Sequence, residues 1–177
     1  MSSNRNVVLA TEEIYHIFNR GVERRPIFTH KLEYRRALDT MSYYRFLEPP
    51  IRYSKYITLD KNRRIQLLNA LLTSQLQVDI LAFCLMPNHF HLLLKQTANA
   101  GISRFVSKFC DSYSKYFNIK HDRVGPLFQG PFKAVRVESE EQLIHLSRYI
   151  HLNPISSFLI KESELDSYSW SSLPEYL

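Results

Sequence analysis

Cysteine is scarce in this chain. Cys84 and Cys110 are the only two, and their spacing matches no metal-ligand motif. A disulfide framework therefore has nothing to stand on, and the pair reads as reduced core residues of a cytoplasmic protein. Long apolar runs are also missing. None approaches the ~20 residues needed to span a bilayer, so no membrane association is expected. The first residues lack the charged-then-apolar layout of a signal peptide. There is no internal repeat and no low-complexity segment. What remains is 177 residues with 45% hydrophobic and 23% charged side chains, ordinary values for a globular protein. The length suits one domain, 1–177, with a core from about residue 12 onward. Such a chain buries roughly 70% of its unfolded surface without a covalent staple.

Charge is unevenly spread. The net charge is +6; residues 1–65 carry 13 Lys/Arg against 7 Asp/Glu, and residues 95–136 carry 8 against 2. Residues 137–177 reverse the balance, with 2 against 7. Both basic blocks are rich in aromatic residues. That combination suits a nucleic acid, whose phosphates pair with Lys/Arg and whose unpaired bases stack on rings. A solvated basic surface is the plainer alternative.

Between the basic blocks lies Cys84-Leu85-Met86-Pro87-Asn88-His89-Phe90-His91-Leu92-Leu93-Leu94. Pro87-Asn88 signals a turn, so Leu81 to Met86 and His89 to Lys95 are expected to form an antiparallel hairpin. Side chains alternate faces along a strand. His89 and His91 therefore share a face, expected to be open, while Phe90, Leu92 and Leu94 point into a core. Two histidines at this spacing are more often plain surface residues than metal ligands. A second stretch changes the weighing: Leu146-Ser147-Arg148-Tyr149-Ile150-His151-Leu152-Asn153-Pro154 follows an acidic helix start at Glu138 to Glu141. Tyr149 and Asn153, four apart, share a helix face. Pro154 disfavours helical geometry at Asn153, so the helix is expected to end there.

The remaining elements follow from periodicity and breakers. A strand is expected over Ile14 to Asn19, a helix over Thr29 to Arg45 ending before Pro49-Pro50, and a basic, aromatic segment over Ile51 to Leu59. Asp60 is placed to cap a further helix whose Ile65, Leu68, Leu72 and Leu76 form an apolar stripe. That helix is expected either to cover the core or to extend a nucleic-acid groove. Val78 to Met86 reads as a central strand buried on both faces. Ile102 to Ile119 is a helix with Phe105, Phe109, Tyr113 and Tyr116/Phe117 inward. Phe132 to Val137 is a short strand, and Glu138 to Asn153 the last helix. Residues 1–11 read as a loose tail. The order strand, helix, strand, strand, helix, strand matches the ferredoxin-like split βαβ arrangement of an α+β fold.

Four phrases, in order, carry a resemblance: Tyr15-His16-Ile17-Phe18-Asn19-Arg20-Gly21, Met86-Pro87-Asn88-His89-Phe90-His91, Gly125-Pro126-Leu127-Phe128-Gln129-Gly130, and Tyr149-Ile150-His151-Leu152-Asn153-Pro154. Together with Tyr168-Ser169-Trp170-Ser171-Ser172 and Tyr176, they resemble the HUH single-tyrosine transposases, most closely the REP-associated tyrosine transposases. The resemblance implies a ferredoxin-like antiparallel sheet with an appended C-terminal helix carrying the tyrosine. Residues 47–77 look longer than the family needs and read as an insertion.

The resemblance also implies a chemistry. Tyr149 is the nucleophile that attacks a single-stranded or hairpin DNA phosphate and forms a 5′-phosphotyrosine. A divalent cation, Mg²⁺ or Mn²⁺, is held by His89, His91 and Asn153. A tyrosine with a pKa near 10 is ~99.9% protonated at neutral pH, so it needs help; His145, one turn earlier, is a weak candidate base. The expected DNA contacts are Arg20, Arg24, Arg25, Arg52, Lys55, Gln129, Lys133 and Arg136, with Gln129 equally suited to fixing its loop. Pro131 stands where the family usually has arginine, leaving Lys133 and Arg136 to contact phosphate there. Asn153 is about as plausible as a helix cap, and Tyr113 and Tyr116 are rival nucleophiles. Relatives work as a monomer or homodimer, with monomer favoured here, in the cytoplasm near the nucleoid. Two other functions stay open: a non-cutting DNA- or RNA-binding regulator, and a metal-dependent phosphodiesterase for small nucleotides.

Overall fold

The structure, a computed structural model, describes residues 7–177. Residues 1–6, most of the expected tail, lie outside it. Four strands form one antiparallel sheet: β1 (Ile14–Arg20), β2 (Val78–Met86), β3 (His89–Gln96) and β4 (Lys133–Arg136). Their order is β2-β3-β1-β4, with every pair antiparallel. Helices α1 (Lys31–Tyr44) and α4 (Gly101–Lys120) cover one face, and α5 (Glu140–Ser156) covers the other. Two smaller helices, α2 (Tyr53–Tyr56) and α3 (Lys61–Leu72), occupy the segment between α1 and β2. This is the ferredoxin-like arrangement with its added helix. Among the described residues, no helix is long and apolar enough to cross a membrane.

Alternation along the strands builds two different layers from the same residues. Tyr15, Ile17, Phe90, Leu92 and Leu94 are wholly buried against Phe105, Phe109 and Tyr113 of α4 and Ala37 and Met41 of α1. On the other face, Ala82, Cys84, Met86 and Leu93 meet Ile150 and Tyr168. That second face is not open, as the histidine spacing suggested, because α5 lies across it.

Three local expectations are corrected. β2 is an edge strand rather than a central one. Its edge is covered by the C-terminal segment: Leu85 N–H donates to the Trp170 carbonyl at 2.8 Å, and Ser172 N–H to the Phe83 carbonyl at 3.0 Å. Trp170 also stacks on Tyr34 with centroids 4.7 Å apart, so an edge strand is as apolar as a central one. Second, α5 begins after Ser139, whose hydroxyl accepts from Gln142 N–H, and runs through Pro154 to Ser156. Ser157 and Leu159 N–H groups close on the Asn153 and Pro154 carbonyls, so the helix absorbs the proline and Asn153 sits inside it. Third, Asp60 caps α3 as expected, but the helix stops at Leu72, before Leu76, which alone of the expected stripe packs against the core; Ile65, Leu68 and Leu72 are exposed, and within α3 only Leu71 is buried, so the core-covering one of the two expected roles is not seen. The stripe of α3 therefore does not lie on the core.

Candidate active site

The Pro87-Asn88 turn starts β3 with His89, and alternation puts His91 beside it; their ring centroids are 5.0 Å apart. β1 runs antiparallel to β3 with Phe18 opposite His91 and His16 opposite Leu93. Directly opposed residues share a face, so His16 joins the histidine pair diagonally. Its Nε2 lies 2.9 Å from His91 Nδ1. On α5, Tyr149 lies edge-on to His91 at 5.6 Å and to His16 at 6.2 Å between ring centroids. Tyr149 is 51% exposed, and among the described residues its hydroxyl makes no hydrogen bond. Asn153 is buried one turn later and donates to the Tyr149 carbonyl at 3.3 Å. His89, His91, Tyr149 and Asn153 thus converge.

Hydrogen bonds restrict the tautomers. Asn88 Nδ2 donates to the Arg24 carbonyl, which leaves Asn88 Oδ1 as the acceptor 2.6 Å from His89 Nδ1. His89 therefore carries its proton on Nδ1 and keeps a lone pair on Nε2. His91 Nδ1 is engaged with His16, and its Nε2 is left for another partner.

Burial keeps all three rings neutral. It pushes His16 down to about 4. Burial, with the Arg20 charge adding to it, pushes His89 down to about 4 against a smaller opposing effect of the Asn153 side chain. His91 falls to about 3 through burial, then the neighbouring His16, His89 and Arg20. Neutral imidazole is the form that binds a cation. Among the described residues, no group of three or more His, Cys, Asp and Glu is set to hold a metal ion; the third donor available here is the Asn153 amide.

Loops fix the rim. Gly21 has no room for a side chain, since a Cβ there would collide with the Arg25 carbonyl and Ile27. Its N–H donates to the Asn88 carbonyl at 2.8 Å. Asn19 Nδ2 donates to the Gly130 carbonyl, and Gln129 N–H donates to the Arg20 carbonyl. Gln129 thus fixes its loop through its backbone while its side chain is exposed.

The expected DNA contacts divide. Arg20 and Lys133 stand exposed on the histidine face, Arg20 opposite His89 and Lys133 opposite Phe18, and Arg24 and Gln129 are exposed on loops whose backbones bond Asn88 and Arg20. Arg25 is paired with Glu23 at 2.6 Å. Arg136 lies opposite Tyr15, on the other face, and is paired with Glu13 at 2.7 Å. Arg52 and Lys55 belong to the segment around α2, beside the α1–α4 layer. Sequence reasoning missed His16 as a site residue. The signal was present in Tyr15-His16-Ile17, but it becomes legible only once β1 is known to lie beside β3.

A family model described as "Transposase IS200 like" matches residues 40–153. The chain belongs to the IS200-like transposase family. No curated protein matches the sequence. Among solved structures, this IS200-like transposase is similar to a REP-associated tyrosine transposase bound to a REP hairpin, with a TM-score of 0.62 and 14% identity over 99% of this chain and 84% of that one. A putative transposase from Deinococcus radiodurans aligns at a TM-score of 0.42 and 16% identity over 85% of this chain and 95% of that one, a similarity too low to bear on the fold.

Proposed function

We propose that this IS200-like transposase is a metal-dependent single-stranded DNA endonuclease and strand transferase that works through a covalent phosphotyrosine at Tyr149. The observation that carries the reading is the half-exposed Tyr149 hydroxyl, free of partners among the described residues, beside the neutral imidazole of His91.

The donor set fits a divalent cation. His89 Nε2, His91 Nε2 and the Asn153 amide oxygen would hold it, and imidazole with oxygen ligands suits Mn²⁺ and tolerates Mg²⁺. When bound, such a cation offsets charge on a non-bridging oxygen of the scissile phosphate. His16 is the positioning residue: with His91 Nε2 on the cation, the His91 Nδ1–H would donate to His16 Nε2, 2.9 Å away, fixing that ring's tautomer and orientation. The Tyr149 oxygen attacks phosphorus, the bond to the 3′ oxygen breaks, and the released oxygen takes up a proton. The phenol proton passes to solvent or to the exposed His145. The phosphotyrosine bond preserves the energy of the broken one, so a later strand joining needs no nucleotide cofactor.

Hairpin DNA with a single-stranded flank is the substrate this reading favours, since the similar structure holds a hairpin. Arg20, Arg24, Gln129 and Lys133 would line the path of the flank. Residues 47–77 are an insertion in this reading. The active unit is a monomer, because Tyr149 lies over the histidines of its own chain, and it works in the cytoplasm, where the DNA is. The test is a labelled hairpin oligonucleotide with flanks, incubated with Mn²⁺ and run denatured. A protein band carrying the label, abolished by EDTA, is expected. No such band across several hairpins would favour a non-cutting DNA-binding regulator instead.

A further inference from the structure

Two patches of this chain expose apolar side chains beside charges of opposite sign. The first is on α3. Ile65, Leu68 and Leu72 are exposed, and their spacing of three and four puts them on one helix side. Lys61 stands four residues before Ile65 and Arg64 four before Leu68, so both cations flank that stripe. None of Lys61, Arg63 and Arg64 makes an ion pair among the described residues. Asp60 is the one acid of residues 55–77, and its carboxylate accepts from the Arg63 N–H. The second patch follows α5. Phe158 holds a left-handed backbone with φ 53°, the conformation that favours glycine. It closes the helix: Phe158 N–H donates to the Ile155 carbonyl at 2.8 Å and Leu159 N–H to the Pro154 carbonyl at 2.9 Å. The phenyl ring is 96% exposed and so adds nothing to packing within the chain. Leu159 beside it is exposed as well, and residues 162–166 add Glu162, Glu164 and Asp166. None of these three acids makes an ion pair among the described residues.

We propose that these patches are the two halves of one contact: α3 of one copy of the chain docks on the Phe158 patch of a second copy. Apolar side chains meet apolar side chains, and the three cations of α3 meet three carboxylates, so the halves are complementary in charge as well. Apolar side chains clustered on a surface and rimmed by polar groups mark sites of protein association. DNA is the poorer occupant of both patches. Phosphates would pair with the cations of α3 but leave Ile65, Leu68 and Leu72 in water, and the carboxylates beside Phe158 would repel them. A second α3 is poorer too, since it would set cations against cations. Two unlike patches make a heterologous contact, which continues into a string of copies or closes into a ring. Neither patch includes His89, His91 or Tyr149, so each copy keeps its own site, and the association does not depend on the proposed chemistry.

The test is sedimentation of the full chain without DNA, across a concentration series at low and high salt. Wild type should grow in mean mass with concentration at low salt, and grow less at high salt as the charges are screened. Leu68→Ser/Leu72→Ser, which strips the α3 stripe, and Phe158→Gly, which strips the other patch, should each stay monomeric. Glycine relieves the backbone at this left-handed position, so Phe158→Gly should lose association without any fall in Tm. Mixed together, the two variants keep one intact patch each and should form a one-to-one dimer that grows no further. Wild type that stays monomeric at every concentration, Phe158→Gly that still associates, or a mixture that gives no dimer would overturn the contact. Normal association of Leu68→Ser/Leu72→Ser, with its hairpin affinity weakened, would overturn it as well and give α3 to DNA. Because the sedimentation contains no DNA, failure of this contact leaves the proposed function standing, and a missing phosphotyrosine adduct leaves this contact standing.

Discussion

The two faces of the sheet are built by alternate residues of the same strands, yet they treat a tyrosine in opposite ways. On the α1–α4 face, Tyr113 is completely buried and donates its hydroxyl to the Ile27 carbonyl. Burial pushes its pKa well above the usual tyrosine value, with the Glu33 charge adding to this. Tyr116, on the same helix, is spent on Arg36 and Lys120. On the α5 face, Tyr149 is half exposed, unpartnered among the described residues and beside the histidines. The difference separates the proposed nucleophile from its rivals by environment: a hydroxyl committed to a carbonyl in a dry core is a structural group, and a half-exposed one beside neutral imidazoles is accessible.

Charge divides the faces as well. Glu33, in the first turn of α1, is fully buried, and Lys120 of α4 reaches it. Burial alone would raise its pKa, but bonds from Lys120, the Thr29 N–H, His121 and the Thr29 hydroxyl outweigh it and hold the carboxyl near 2. On the opposite face, among the described residues, the three histidines pair with no carboxylate and stay buried by being neutral, with the Arg20 charge helping to hold His89 and His91 so. One face keeps a buried charge for stability, and the other keeps its buried rings uncharged.

The sharpest way to break this contrast is to remove the imidazoles. His89→Ala with His91→Ala should lower adduct formation by at least about a hundredfold, since changes even to residues that merely support a metal ligand cost about 10–100-fold, while circular dichroism stays that of wild type. Retained Mg²⁺-dependent cleavage would contradict the site. His16→Gln should weaken Mn²⁺ binding about 10–100-fold in calorimetry with little change in Tm, because it disturbs orientation rather than the ligands. On the other face, Glu33→Gln should cost about 2 kcal/mol in denaturant unfolding, the range for bonds to a buried charge, with the adduct yield of folded protein unchanged.

Acid should expose the same division more gently. The three histidines have folded values of about 4, 4 and 3, below the 6.5 of a free imidazole, so the unfolded chain takes up their protons first. Their contribution to stability is complete above pH 6.5 and is lost as pH falls toward 4. Glu33 contributes above about 4.5, and that contribution is lost as pH falls through about 2. Tm should therefore be level from pH 8 to 7, decline below 6.5, and decline with a slope smaller by about one proton in His16→Gln. An unchanged slope would place His16 in solvent.

Much of this was legible in the sequence because two periodicities carry it. The His89-Phe90-His91 alternation assigns faces without any structure, and the Phe105, Phe109, Tyr113 stripe assigns a buried helix side. What escaped depends on neighbours rather than on local pattern. The His16–His91 contact requires β1 to lie beside β3. Arg136 turned out to face away from the histidines because of the β4 register against Tyr15. The apolar run of β2 could not distinguish a central strand from an edge covered by Trp170 and Ser172, and Pro154 gave a stop signal that the folded helix overrides.

The measurement that bears most directly on the account is the covalent adduct of Tyr149→Phe. The change removes one exposed hydroxyl and leaves the ring against His91 and His16, so the variant should fold normally and bind Mn²⁺ and DNA as wild type does. With a labelled flanked hairpin and Mn²⁺, wild type, Tyr113→Phe and Tyr116→Phe should each give a shifted, labelled protein band, and Tyr149→Phe should give none. A band that persists in Tyr149→Phe would mean that another residue attacks the phosphate.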